Sequence, residues 1–115
     1  MEQEEIIKEA YLAFNNRDTG SVLALLDPLV DWPNGWEGGY LHGHEEVRHY
    51  WTRQWAEINP KVEPIGFEKL GDSRLKAAVH QFVRDKNDAV LFDGNIYHTY
   101  AFENDVIKKM EISEK

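Results

Sequence analysis

Apolar residues recur along this chain at helical spacing in the first half and at strand spacing in the second. Between Glu2 and Asn15, Ile7, Tyr11 and Phe14 stand at i, i+4 and i+7, with Ile6, Ala10 and Ala13 beside them. That period predicts an amphipathic helix with one face on a core. Asn15-Asn16 suits its exit, and Asp18 is placed to cap a second, short helix through Val22, Leu23, Leu25 and Leu26, which Pro28 ends. A strand is expected over Leu29 to Trp32, a turn at Pro33-Asn34-Gly35, and a brief extended piece at Tyr40 to His42. Val47, Trp51, Trp55 and Ile58 form the stripe of a third helix from His44 to Ile58. Glu45 and Glu46 favour its positive end, and Asn59-Pro60 stops it.

From Val62 the period changes to two. Val62 to Leu70 carries Pro64 and Gly66, which mark an edge strand or a bulge. Arg74 to Arg84 alternates cleanly, with Leu75, Ala77, Val79, Gln81 and Val83 on one face. After a turn at Lys86-Asn87-Asp88, a long extended run covers Ala89 to Glu103, with a break expected near Asp93-Gly94. Asn104-Asp105 turns the chain into a last strand, Val106 to Ile112. Helices followed by an antiparallel meander predict an α+β fold with the helices on one face of a curved sheet.

No repeat or linker divides the chain, so residues 1–115 are taken as one domain. Hydrophobic residues make up 42% of it, enough for a core and too many for disorder. The formal net charge is −8 and Lys and Arg form no run, which argues against a nucleic-acid partner. There are no cysteines, so disulfides and thiolate chemistry are excluded. The acidic start is unlike a signal peptide, and apolar runs are too short to span a bilayer. A cytoplasmic location is expected.

Several phrases, in their order and spacing, resemble the SnoaL-like and ketosteroid-isomerase-like branch of the nuclear-transport-factor-2-like superfamily. They are Ala10 to Asp18, Val30-Asp31-Trp32-Pro33, Gly43 to Trp51 and His98 to Ile107, and the resemblance covers essentially the whole chain. It implies a cone: a strongly bent sheet around a pocket, closed by three N-terminal helices. It also implies a homodimer paired through the outer face of the sheet, where His80, Phe82 and Tyr97 are candidates. Steroid isomerases of this branch use a helix tyrosine, an Asp on the first strand and an Asp late in the sheet. The tyrosine aligns with Tyr11, but the two carboxylate positions fall on Trp32 and His98. Asp31 is adjacent, and strand alternation points it away from the side shared by Val30 and Trp32. Steroid isomerase activity is therefore not expected.

His98 is the first candidate for chemistry, because it interrupts an apolar face between Ile96 and Tyr100. Tyr11, on the core side of its helix, is the second, since a buried hydroxyl needs a partner. Each has a plain alternative without chemistry: a buried His98 hydrogen-bonded to a neighbour such as Tyr11 or Tyr100, and a Tyr11 that packs and satisfies itself. Trp32, Trp36, Trp51, Trp55 and Tyr100 are candidates to line a pocket for a flat apolar ligand, although helix spacing makes core the default for Trp51 and Trp55. His42, His44 and His49 lie close in sequence, but the cap-like position of His44 and the polar position of His49 argue against a metal. No phosphate-binding loop, dinucleotide fingerprint or nucleophile elbow is present, and no cofactor is called for.

Two functions fit these residues. One is a small-molecule-binding domain for an apolar or aromatic ligand, acting as an acid–base enzyme of the cyclase, isomerase or hydrolase type on a carbonyl- or epoxide-bearing compound. In it His98 exchanges a proton and Tyr11 polarises the carbonyl. The other is a non-catalytic dimeric interaction module whose cavity is plugged by its own tryptophans.

Overall fold

The structure, a computed structural model, describes residues 2–35, 37–71 and 73–114. Three helices precede and interrupt six strands: α1 (Gln3–Asn15), α2 (Thr19–Leu23), β1 (Leu26–Pro33), β2 (Tyr40–His42), α3 (Gly43–Glu57), β3 (Ile58–Lys69), β4 (Arg74–Asp85), β5 (Val90–Glu103) and β6 (Val106–Ser113). The strands form one mixed sheet in the order β2-β1-β6-β5-β4-β3, antiparallel except where β1 runs parallel to β6.

Helix α1 buries Ile6, Ile7, Ala10 and Tyr11, as its period requires. Asn15 anchors its end to the edge strand β3: the side chain donates to the Val62 carbonyl at 2.7 Å and accepts from the Val62 N–H at 2.9 Å. Asp18 caps α2, accepting from the Ser21 N–H and the Ser21 hydroxyl.

Helix α2 is shorter than expected. Leu26 leaves it to pair with Ile107, and Pro28 lies inside β1 rather than beyond a helix. Between Leu26 and Asp31 the β1–β6 register shifts, and β2 pairs only from Asp31 onward, so Pro28 sits where the ladder needs no N–H. Helix α3 begins at Gly43, whose φ of 83° is the left-handed region and whose Cβ would stand 3.2 Å from the Pro28 carbonyl oxygen. Neither Asn59 nor Pro60 ends in coil. Both lie in β3, which tolerates a proline because it is the sheet edge. A bulge separates Pro64 from Gly66 in the same strand. The break expected at Asp93-Gly94 is absent, and β5 runs on through both residues.

The inner face of the sheet carries Leu75, Ala77 and Val79 on β4 and Ile96, His98, Tyr100 and Phe102 on β5, all buried. Val47 and Trp51 of α3 and the α1 stripe close over it. The outer face is half-exposed and mixed: Lys76 lies over the Tyr97 ring at 4.5 Å, Arg84 over Phe82 at 5.5 Å, and His80 Nε2 is 2.6 Å from Asp93. Among the described residues, no helix is long and apolar enough to cross a membrane.

Candidate functional site

Three buried polar side chains meet inside the cone. Tyr11 comes from the second half of α1, and His98 and Tyr100 come from alternate positions of β5. The Tyr11 hydroxyl is 2.9 Å from His98 Nδ1, and the Tyr100 hydroxyl is 2.8 Å from the Tyr11 hydroxyl and 3.4 Å from His98 Nδ1. Tyrosines aside, His98 is the one buried polar residue among those described, at 6% exposure. Burial lowers its pKa to about 4, so the imidazole is neutral at physiological pH. Burial also holds both tyrosine hydroxyls well above the ordinary phenol range, so both keep their protons.

An array of aromatic rings extends from this triad. Trp32 on β1 lies 6.5 Å from Tyr100 and meets Trp51 edge-on at 5.5 Å. Trp51 stacks on Trp55 at 5.8 Å, and Phe14 contacts both. Trp51 is fully buried, whereas Trp32 and Trp55 are half-buried. The indole N–H of Trp55 is buried and lacks a hydrogen-bond partner among the described residues. Trp36, the remaining pocket candidate, lies outside the described residues.

Two clefts open elsewhere. One, of about 280 Å³, lies between the β1–β2 connection and α3 and is lined by Leu41, Tyr50 and Arg53 among others. There Arg53 and Asn34 hold the Glu37 carboxyl below its usual range. The other, of about 700 Å³, is a polar groove at the start of α1 that includes Lys8, Lys69 and Arg74. Neither is lined by His98 or Tyr11.

The three clustered histidines disperse. His42 Nδ1 lies 2.5 Å from Asp31, His44 donates from Nε2 to the Leu26 carbonyl at 2.9 Å, and His49 is exposed. Among the described residues no group of three His, Asp or Glu is arranged to hold a metal. Asp31 points to His42 at the sheet margin, away from the side of Val30 and Trp32. Sequence reasoning gives Tyr100 as a wall residue and, with Tyr11, as a hydrogen-bond neighbour for a buried His98. Its i+2 relation to His98 was the signal that its hydroxyl shares the same face.

No protein-family model matches the chain, and no curated protein sequence does. Solved structures do match. A nuclear-transport-factor-2-like protein of unknown function from Burkholderia pseudomallei is 27% identical over 97% of this chain and 89% of that one, with a TM-score of 0.84. A polyketide cyclase candidate from Pseudomonas putida is 17% identical, covering 100% and 92% of the two chains at a TM-score of 0.85. The chain belongs to the nuclear-transport-factor-2-like superfamily. A ketosteroid-isomerase-like protein from Catenulispora acidiphila, solved with trimethylamine, shares the fold at 14% identity and a TM-score of 0.82 over 94% and 83% of the chains. In this superfamily member three helices accompany an open six-stranded sheet.

Proposed function

We propose that this chain is a small-molecule-binding domain whose ligand meets the His98–Tyr11–Tyr100 triad. The observation that supports it is the clustering, within 2.8–3.4 Å, of three polar groups brought from residues 87 and 89 positions apart onto an otherwise apolar inner face. A hydrophobic core gains nothing from a histidine there, since burying polar groups costs free energy that hydrogen bonds only offset. The aromatic array of Trp32, Trp51 and Trp55 supplies the flat apolar wall beside it. Cyclase, isomerase and hydrolase reactions on a carbonyl or epoxide all build negative charge on an oxygen, and a buried, neutral imidazole can donate a hydrogen bond to it without being charged.

The test is thermal unfolding against a library of hydrophobic ketones, epoxides and polycyclic aromatics. A ligand that binds only the folded state at about 100 times its Kd stabilises by roughly 2.7 kcal/mol and raises Tm. At least one hit is expected, and His98→Ala should abolish its shift while still unfolding cooperatively. Hits that shift the variant equally would place the ligand elsewhere.

A second reading, the plugged interaction module, is favoured by the way Phe14, Trp32, Trp51 and Trp55 occupy the cone's interior. It calls for a dimer through the outer face, with Phe82, Tyr97 and His80 in the contact. Sedimentation velocity checks this: the wild type should sediment as a dimer and Phe82→Lys as a monomer. A monomeric wild type removes the reading.

A further inference from the structure

Which nitrogen of His98 carries the proton follows from counting donors. The Tyr11 and Tyr100 hydroxyls and His98 Nδ1 form a triangle with sides of 2.8, 2.9 and 3.4 Å. Each hydroxyl has one proton to give, and Tyr100, 1% exposed, has no hydrogen-bond partner outside the triangle among the described residues. Suppose Nδ1 were also protonated. Three donors would then share two oxygens, and one buried hydroxyl proton would go unpaired, at a cost of about 1–3 kcal/mol. With Nδ1 as acceptor both hydroxyl protons are placed, Tyr100 donating to Tyr11 and Tyr11 donating to His98, and the one donor left over is the ring N–H at Nε2. The alternative circuit, Tyr11 to Tyr100 to His98, leaves Nδ1 an acceptor as well. Both arrangements put the ring proton on Nε2, on the edge of the imidazole away from Nδ1. Nε2 has no hydrogen-bond partner among the described residues, although the residue is 6% exposed.

Resting on the reading above, we propose that the two tyrosines lock His98 as the Nε2–H tautomer, making it a neutral hydrogen-bond donor that selects ligands bearing an oxygen acceptor. In this assignment Nε2 has no lone pair to accept a proton and Nδ1 is taken by a tyrosine hydroxyl, so His98 meets the ligand as a hydrogen-bond donor and does not take a proton from it. Tyr11 spends its own proton on His98 and therefore does not polarise the ligand itself. Tyr11 and Tyr100 are positioning residues. The ligand class narrows to ketones, aldehydes, quinones and enolates; apolar compounds of the same shape without an oxygen are excluded.

Long-range ¹H–¹⁵N correlation on histidine-labelled, ligand-free protein at pH 7 decides the tautomer. His98 should show a protonated Nε2 and an unprotonated, hydrogen-bonded Nδ1. The reverse pattern, or two protonated nitrogens, overturns the assignment. The double variant Tyr11→Phe/Tyr100→Phe, which removes both hydroxyl protons, tests the lock: its His98 nitrogens should move towards tautomer averaging, and unchanged shifts in a folded variant would deny the two tyrosines the role. The ligand class is read with 2-acetylnaphthalene and 2-isopropenylnaphthalene, in which a CH₂ replaces the carbonyl oxygen. The ketone should bind at least about 10-fold more tightly, the effect of one well-made hydrogen bond to an otherwise unpaired donor. Equal affinities overturn the donor role. Binding of neither naphthalene counts against the small-molecule reading under Proposed function, while the nitrogen shifts decide the tautomer without any ligand.

Discussion

Trp51→Ala is expected to lower the unfolding free energy by about 3–5 kcal/mol, the range for emptying a large aromatic site in a packed core. Trp51 is 1% exposed and touches Trp32, Trp55 and Phe14, so three neighbours lose a packing surface at once. The half-buried rings of Trp32 and Trp55 cannot relax into the gap without leaving the sheet or the helix that holds them. Urea unfolding followed by far-ultraviolet circular dichroism measures the loss as a shift of midpoint at constant slope. Trp51→Phe should recover about half of it. A loss below about 1 kcal/mol for the alanine variant would mean that the ring does not fill the core.

The next largest effect is expected from acid. The His98 imidazole titrates at about 4 in the folded chain and near 6.5 when unfolded. The unfolded state therefore binds more protons between those values, and stability must fall as pH drops through that window. The stabilisation is complete above about pH 6.5 and is lost by about pH 4, a change of roughly 3 kcal/mol from this one residue. Asp18, Glu37 and Glu63 also have carboxyls held below their usual range, chiefly by hydrogen bonds to Ser21, Arg53 and Lys61 respectively. Their losses begin at lower pH and are common to wild type and variant. The expected result is thus a difference: His98→Gln is less stable than wild type at pH 7, and the gap narrows by roughly 3 kcal/mol on going to pH 4. A gap that does not change with pH would mean that His98 is accessible to protons in the folded chain.

Periodicity carried much of the architecture because burial on one face writes itself into local sequence. The stripe of Ile7, Tyr11 and Phe14 and the alternation of Leu75, Ala77 and Val79 are local signals, and both elements form there. The misplaced boundaries lie where a long-range partner decides. Leu25 and Leu26 suit helix or strand equally well; pairing with Ile107 of β6 draws Leu26 into the sheet, and Leu25 stays in the turn, its carbonyl accepting from the Ile107 N–H. Pro60 suggests a stop until the edge position of β3 is known.

The site was legible as a set of faces and as a buried His98 bonded to Tyr11 or Tyr100, without the geometry that joins all three. Spacing put Tyr11, His98 and Tyr100 inward, but the contacts that join them span 87 and 89 positions and depend on the bend of the sheet. Proton direction was further out of reach, because it requires knowing that Tyr100 has no second acceptor. The departure from the steroid-isomerase arrangement was read from the family resemblance, which sets the two carboxylate positions on Trp32 and His98.

The most direct test of the ligand site is a titration of protein carrying ¹³C-labelled tyrosine and histidine with 2-acetylnaphthalene, followed by two-dimensional NMR. Binding at the triad predicts saturable shifts at Tyr11, His98 and Tyr100, with His80 and Tyr97 on the outer face unmoved. Shifts confined to His49 and Tyr50, beside the cleft that holds Arg53, would contradict it and move the ligand out of the cone.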